Sequence, residues 1–194
     1  MAQYFSEQPT VGSKRASVQL ALPDMTLSLI TDRGVFSHGA IDVGTKLLLQ
    51  EAPTPRGPVT VDLGCGYGPI ACVLARRAPT SSVWAVDVNE RARELCALNA
   101  AEFANVRVIA PDDWPEGLTI DTLWSNPPIR VGKAELHAVL TVWLARLSPT
   151  GSAVLVVQRH LGADSLAEWM SALGYQVTRM CSRQSYRLLE VRAA

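Results

Sequence analysis

The chain has little of what metal centres, disulfide scaffolds and membrane spans are made from. Its four cysteines, Cys65, Cys72, Cys96 and Cys181, form no Cys-x-x-Cys pair, and His38, His137 and His160 supply all its imidazoles. That argues against a zinc site or a disulfide framework and suits a reducing, cytoplasmic setting, with no metal expected. No apolar run approaches the ~20 residues a membrane helix needs. The opening residues 1–7 do not read as a signal peptide. Neither sign of charge is in excess, with 18 Lys and Arg against 18 Asp and Glu. This argues against broad nucleic-acid binding driven by bulk charge but leaves room for a local basic face. Residues 61–130 lean acidic; the part after them leans basic through Lys133, Arg146, Arg159, Arg179, Arg183, Arg187 and Arg192. Repeats and low-complexity segments are missing too. At 194 residues, 48% of them hydrophobic, one domain with a sizeable core is expected.

What is there centres on residues 59–70, Val-Thr-Val-Asp-Leu-Gly-Cys-Gly-Tyr-Gly-Pro-Ile. Val59, Val61 and Leu63 predict a buried strand, followed by a glycine turn and the first turn of a helix. Gly64, Gly66 and Gly68 alternate. Without a Cβ, glycine accepts positive φ and lets a ligand lie against the backbone. Helix N–H groups beyond the turn favour a polar or anionic group. Such strand–turn–helix units bind nucleotides. The dinucleotide pattern Gly-x-Gly-x-x-Gly fits poorly: its last position is Pro69 when counted from Gly64 and Ala71 when counted from Gly66.

Before the turn, residues 1–17 are polar and irregular, with Gly12-Ser13-Lys14-Arg15 as a small basic cluster, and read as a flexible lead-in or an RNA-touching arm. Residues 18–22 and 25–30 alternate across Pro23-Asp24, predicting a hairpin. Asp42 precedes a helix over 45–51, stopped by Pro53; polar groups at its start cap it and could line a pocket. Beyond the turn, a helix is expected over 70–77 and a strand over 82–87. Asp87 ends that strand about 20 residues past the glycines, where a carboxylate can accept both ribose hydroxyls. An amphipathic helix over 89–103 follows, with Ala92, Leu95, Cys96, Leu98 and Phe103 apolar and Asn105 as its stop. Strands over 106–109, 120–125 and 153–157, helices over 133–147 and 165–173, and an antiparallel pair over 175–180 and 185–191 complete the reading. Pro149-Thr150-Gly151 is expected as a loop.

Asn126-Pro127-Pro128 ends the strand over 120–125. The prolines stiffen the turn and leave its carbonyls unengaged. The Asn126 side-chain oxygen and the Pro127 carbonyl could accept the two hydrogens of an exocyclic amine, aiming its lone pair at an electrophilic methyl. This is catalysis by positioning and electrostatics.

Asp62-Leu-Gly-Cys-Gly-Tyr-Gly68 resembles the first motif of class I S-adenosylmethionine-dependent methyltransferases. With Gly34-Val-Phe-Ser37, Asp42-Val-Gly-Thr45, Asp87, Asn126 to Lys133 and Gln158 to Ala163, almost the whole chain from Gly34 resembles the methyltransferase small-domain family. The likeness is to the catalytic half of small-subunit ribosomal RNA guanine-N2 methyltransferases. It implies an α/β, Rossmann-like, mostly parallel sheet of about seven strands with one antiparallel strand. An N-terminal arm and hairpin (1–33) would pack on the methyltransferase domain (34–194). It implies S-adenosylmethionine as cofactor, held by Asp62, Gly64, Cys65, Gly66, Asp87, Val88 and Thr45. Asp112 or Asp113 would accept from the adenine amine, with Trp114 covering the ring. Asn126 and Pro127 would be catalytic, Asn126 also touching the cofactor, and Pro128, Ile129 and Arg130 would meet the substrate. The implied partner is RNA, ribosomal RNA or a ribosomal particle.

Two features depart from the pattern. Many such enzymes carry an aromatic residue after Asn-Pro-Pro, where this chain has Ile129, so stacking would fall to Arg130 or Trp114. The bacterial enzymes also have an extra N-terminal domain, and this chain has the hairpin in its place. Alternatives left open are the same chemistry on a protein glutamine amide or a small metabolite, and a non-catalytic cofactor-binding domain. Hydride transfer is disfavoured, since Asn126-Pro-Pro has no role in it.

Overall fold

A computed structural model describes residues 11–128 and 132–193. Seven strands form one sheet in the order β5-β4-β3-β6-β7-β9-β8. These are β3 (Val59–Leu63), β4 (Ser82–Val86), β5 (Val106–Ile109), β6 (Ile120–Ser125), β7 (Leu147–Gln158), β8 (Gln176–Arg183) and β9 (Tyr186–Arg192). Pairing is parallel from β5 to β7, and β9 runs antiparallel to both β7 and β8. Hence one reversed strand sits in an otherwise parallel sheet. Strand order reverses beside β3, where β4 lies on one side and β6 on the other. Ligands of such sheets bind past the carboxyl ends of the strands at this switch.

Successive strand residues face opposite sides, and both sides are covered. Val83, Ala85, Val154 and Val156 pack with helices α1 (Val43–Glu51), α2 (Pro69–Arg77) and α3 (Glu90–Asn99). Trp84, Val86, Ala153, Leu155 and Val157 pack with α4 (Lys133–Leu144) and α5 (Ala163–Ala172). Burial on both faces is why these strands read as continuous apolar runs.

The hairpin of β1 (Ala16–Leu22) and β2 (Met25–Thr31) forms a separate sheet. Its Val18, Leu20, Leu22, Met25, Leu27 and Leu29 join the first core with the leucines of α1. Polar clamps fix both ends. Arg77 donates through Nε and a terminal nitrogen to Asp24 (2.9 Å each) and through Nη1 to the Leu49 carbonyl (2.7 Å). The Asn99 amide accepts from Ile30 N–H and donates to the Ile30 and Tyr67 carbonyls.

Several boundaries differ from expectation: α4 ends at Leu144 rather than at 147, where β7 already begins. Helix α3 ends at Asn99, four residues early, giving way to a turn closed by Phe103 N–H on the Ala100 carbonyl. Leu98, expected on the apolar face, lies within α3 but is exposed. Asn105 stops no helix; its amide donates to the Ala75, Ala78 and Ser81 carbonyls. Pro149-Thr150-Gly151 lies inside β7 rather than in a loop, at a register shift against β6. A Cβ on Gly151 would stand 2.4 Å from the Ile120 carbonyl oxygen, so the close approach requires glycine.

Candidate active site

The carboxyl ends of β3, β4 and β6 open on a cavity of about 400 Å³. Its wall includes Gly64, Gly66, Asp87, Val88, Asn126, Pro127 and Pro128, together with Asp42. A hollow of about 30 Å³ adjoins it and is bordered by Thr45 and Cys65. Residues from 42 to 128 are thus gathered at one place.

The glycine turn is tied to β4. Gly64 and Cys65 donate their N–H groups to the Val86 carbonyl (2.8 and 3.0 Å). Gly66 donates to Asp87 Oδ2 (2.8 Å), while Asn89 N–H donates to Asp87 Oδ1 (2.9 Å). Both carboxylate oxygens are therefore oriented, each with a lone pair to spare. The three glycines serve different ends. All have positive φ, at 76°, 54° and 93° for Gly64, Gly66 and Gly68. A Cβ on Gly64 or Gly66 would meet nothing within 4 Å, whereas one on Gly68 would lie 2.8 Å from Cys96 Sγ. The space beside Gly64 and Gly66 is open, whereas Gly68 lets α2 approach α3.

Asp62 lies beneath the turn, fully buried. Its Oδ2 accepts from Ala71 N–H (2.8 Å), and its Oδ1 has no hydrogen-bond partner among the described residues. Burial, with Asp87 nearby, pushes its carboxyl well above the usual range. Burial also raises Asp87, against the opposing N–H bonds from Asn89 and Gly66. Desolvated carboxyls beside a glycine cradle suit a cationic ligand bearing a ribose. S-adenosylmethionine is one, with its sulfonium and ammonium charges, and the unpartnered Asp62 oxygen and open cradle fit it.

The opposite wall is built by side chains far apart in sequence. Asn126 Nδ2 donates to Asp42 Oδ2 (2.8 Å) and Thr45 Oγ1 (3.0 Å), across 84 and 81 residues. A carboxylate accepts only, so the group facing Asp42 must be the NH₂. The amide orientation is thereby fixed, and Asn126 Oδ1 remains as its acceptor. Asp42 Oδ2 also accepts from Thr45 N–H (2.9 Å), capping α1. Beneath, Ser125 Oγ donates to the Leu63 carbonyl (2.7 Å), locking β6 to β3.

Other expected site residues lie elsewhere. Asp112 and Asp113 are exposed on a short 3₁₀ turn, and it is Pro111 of that turn that borders the cavity. Asp113 Oδ2 instead accepts from Ala110 N–H (3.3 Å). Trp114 is not on the cavity wall. Its ring packs against Trp84 (5.3 Å) and Trp143 (5.1 Å), and its indole N–H donates to the Leu118 carbonyl. Ile129 and Arg130 lie outside the described residues. Phe36, Val139, Trp143, Gln158, Leu161 and Tyr186 also line the cavity and were not singled out as site residues from sequence. Val139 and Trp143, one helical turn apart on α4, carried a periodicity signal that reads equally as core. Among the described residues no three His, Cys, Asp or Glu side chains group as metal ligands, and no helix is long and apolar enough to cross a membrane.

Comparison with known proteins agrees with this geometry. The family described as "Methyltransferase small domain" matches residues 26–190. The chain is 32% identical to Uncharacterized protein YbxB of Bacillus subtilis (strain 168), covering 97% of each. It is also 32% identical to Ribosomal RNA small subunit methyltransferase C of Shewanella sp. (strain MR-4), over 91% of this chain and 52% of that protein. Among solved structures, the T. thermophilus 16S rRNA N2 G1207 methyltransferase (RsmC), in complex with AdoMet and guanosine, aligns with a TM-score of 0.72 and 25% identity. That alignment covers 96% of this chain and 52% of RsmC, so this chain spans about half the length of these ribosomal RNA methyltransferases. On its sequence, its sheet order and its site, the chain belongs to the methyltransferase small-domain family, enzymes that use S-adenosylmethionine.

Proposed function

We propose that the protein methylates an exocyclic amine of a nucleobase in RNA, most specifically N2 of a guanine in ribosomal RNA. The observation that carries this reading is the fixed amide of Asn126. With its nitrogen held by Asp42 and Thr45, its oxygen is left to accept one amine hydrogen, and the Pro127 carbonyl accepts the other. Two such acceptors hold the nitrogen so that its lone pair points across the cavity. No strong base is required beforehand, because the proton departs during or after transfer; the contribution is position and electrostatics. The ring must leave its stack to reach a site this deep. Asp62, Gly64, Gly66 and Asp87 would hold S-adenosylmethionine, which when bound supplies an electrophilic methyl group. The ribosomal RNA methyltransferases reported above support the choice of RNA. Exposed Lys14, Arg15 and Arg33 beside the hairpin offer phosphate contacts in a chain of zero net charge.

The test incubates the protein with methyl-labelled S-adenosylmethionine and total RNA from cells lacking it, then digests the RNA to nucleosides. Label in N2-methylguanosine is the expected result. No label in RNA from a protein that still binds the cofactor would overturn the RNA reading and turn the search to protein amides and small amines.

A further inference from the structure

A flipped base needs a flat partner as well as acceptors for its amine. Ile129, which follows Asn126-Pro127-Pro128, has no ring to give. Among the described residues, three aromatics border the cavity: Phe36, Trp143 and Tyr186. Trp143 is closed in, 3% exposed, with Trp114 against its edge and the Arg146 guanidinium 4.4 Å from its ring centre. Tyr186 is half-buried over Gly44, where a Cβ would lie 2.7 Å from its ring. Phe36 is 43% exposed, although the neighbouring Val35 is 1% exposed.

The backbone holds Phe36 out. Gly34 has φ 84° and Ser37 has φ 55°, a left-handed conformation that residues with a Cβ rarely adopt. Asn89 Nδ2 donates to the Gly34 carbonyl (2.9 Å) on one side of Phe36. On the other, Ser37 Oγ donates to the Ala40 carbonyl (2.6 Å). A large apolar ring is normally buried; here two left-handed residues and two clamps turn it outward. Phe36 borders both the main cavity and the adjoining hollow, as Asn126 and Asp42 do.

We infer that Phe36 is the stacking face for the target base, a planar heteroaromatic ring lifted from its strand. Stacking reads no sequence, because every base has a π-face. Phe36 therefore supplies affinity and ring orientation, and Asn126 with Pro127 supplies the choice of an amine. The inference rests on the reading of the site as a base-amine methyltransferase.

Its test compares Phe36→Leu, which keeps bulk and loses the ring, with Phe36→Tyr. Phe36→Leu is expected to lower kcat/KM for RNA about ten- to hundredfold, the range of one base–ring stack. Phe36→Tyr is expected to retain wild-type efficiency, and both variants to bind S-adenosylmethionine as wild type does in the absence of RNA. Wild-type efficiency in Phe36→Leu would overturn the inference. So would a matching loss of cofactor affinity, which would assign the ring to the cofactor. A wild-type protein that labels no RNA would defeat the functional reading separately. Quenching of 2-aminopurine in a short single-stranded oligonucleotide, with S-adenosylhomocysteine present, then decides the inference: loss of quenching in Phe36→Leu supports it and unchanged quenching overturns it.

Discussion

The two walls of the cavity are made in different ways. The wall at β3 and β4 is built from neighbours in the sheet: Gly64 and Cys65 bond Val86, and Gly66 bonds Asp87, all within one strand–helix–strand unit. The wall at β6 is built from side chains 84 and 81 residues apart, Asn126 with Asp42 and Thr45. The first wall is mostly backbone and holds whatever lies on it by shape and charge. The second is side chain, and its chemistry depends on one amide facing one way. Damage to the first should show as cofactor affinity, and damage to the second as turnover.

The largest effect is expected at Asn126. Asn126→Ala removes one acceptor for the amine and should lower kcat about a hundred- to thousandfold, the usual loss for one preorganised polar group. Cofactor affinity measured by calorimetry should change far less. A proportionate fall in affinity would erase the contrast between the walls.

Asp87→Ala should do the reverse, weakening S-adenosylmethionine binding about ten- to hundredfold through lost charge-assisted hydrogen bonds. It also strips Gly66 N–H and Asn89 N–H of their acceptors. Stability should therefore drop by about 1–3 kcal/mol, read as a lower denaturant midpoint.

Asp62→Asn sharpens the electrostatic side. The native carboxyl is raised above its unfolded value, so the native state binds more protons in the window between the two. The stability of the unliganded protein from this group is highest below that window and falls as pH rises through it. Asp62→Asn removes this pH-dependent contribution and can still accept from Ala71 N–H. The unliganded variant should melt above wild type at neutral pH, with the gap narrowing on acidification, and should bind cofactor more weakly. A variant melting below wild type at neutral pH would contradict the assignment of burial as the dominant cause.

The smallest contrast lies within the glycine turn. Gly66→Ala should cost about 1 kcal/mol for its positive φ and weaken cofactor binding. Gly68→Ala pays the same backbone cost and also meets Cys96 Sγ, so its thermal midpoint should fall further. Equal midpoints would mean that the helix approach does not need Gly68.

The sequence made the first wall legible and the second only in part. A strand, a glycine turn and an acid at the next strand end are local, and their spacing survives folding. Asn126 and Asp42 were each visible as a residue at an element end, but nothing in the spacing announces that one holds the other. Asp112, Asp113 and Trp114 show the limit of transfer by position. The carboxylates stand exposed, and Trp114 is taken up by Trp84, Trp143 and Arg146, because an aromatic beside an apolar helix finds a core as readily as a ligand. Phe36 stood within the matching Gly34-Val-Phe-Ser37 segment, yet its exposure was not legible, because it follows from the φ of Gly34 and Ser37, which composition does not reveal.

Asp42 is expected to act through Asn126, and a double-mutant cycle in kcat tests this most directly. Asp42→Ala, Asn126→Ala and the double variant are compared with wild type on the RNA that wild type labels, each saturated with cofactor. If Asp42 serves by orienting the amide, its substitution lowers kcat alone and adds nothing once Asn126 is gone. Additive losses would mean that the two residues act independently and that the Asn126 amide needs no orienting partner.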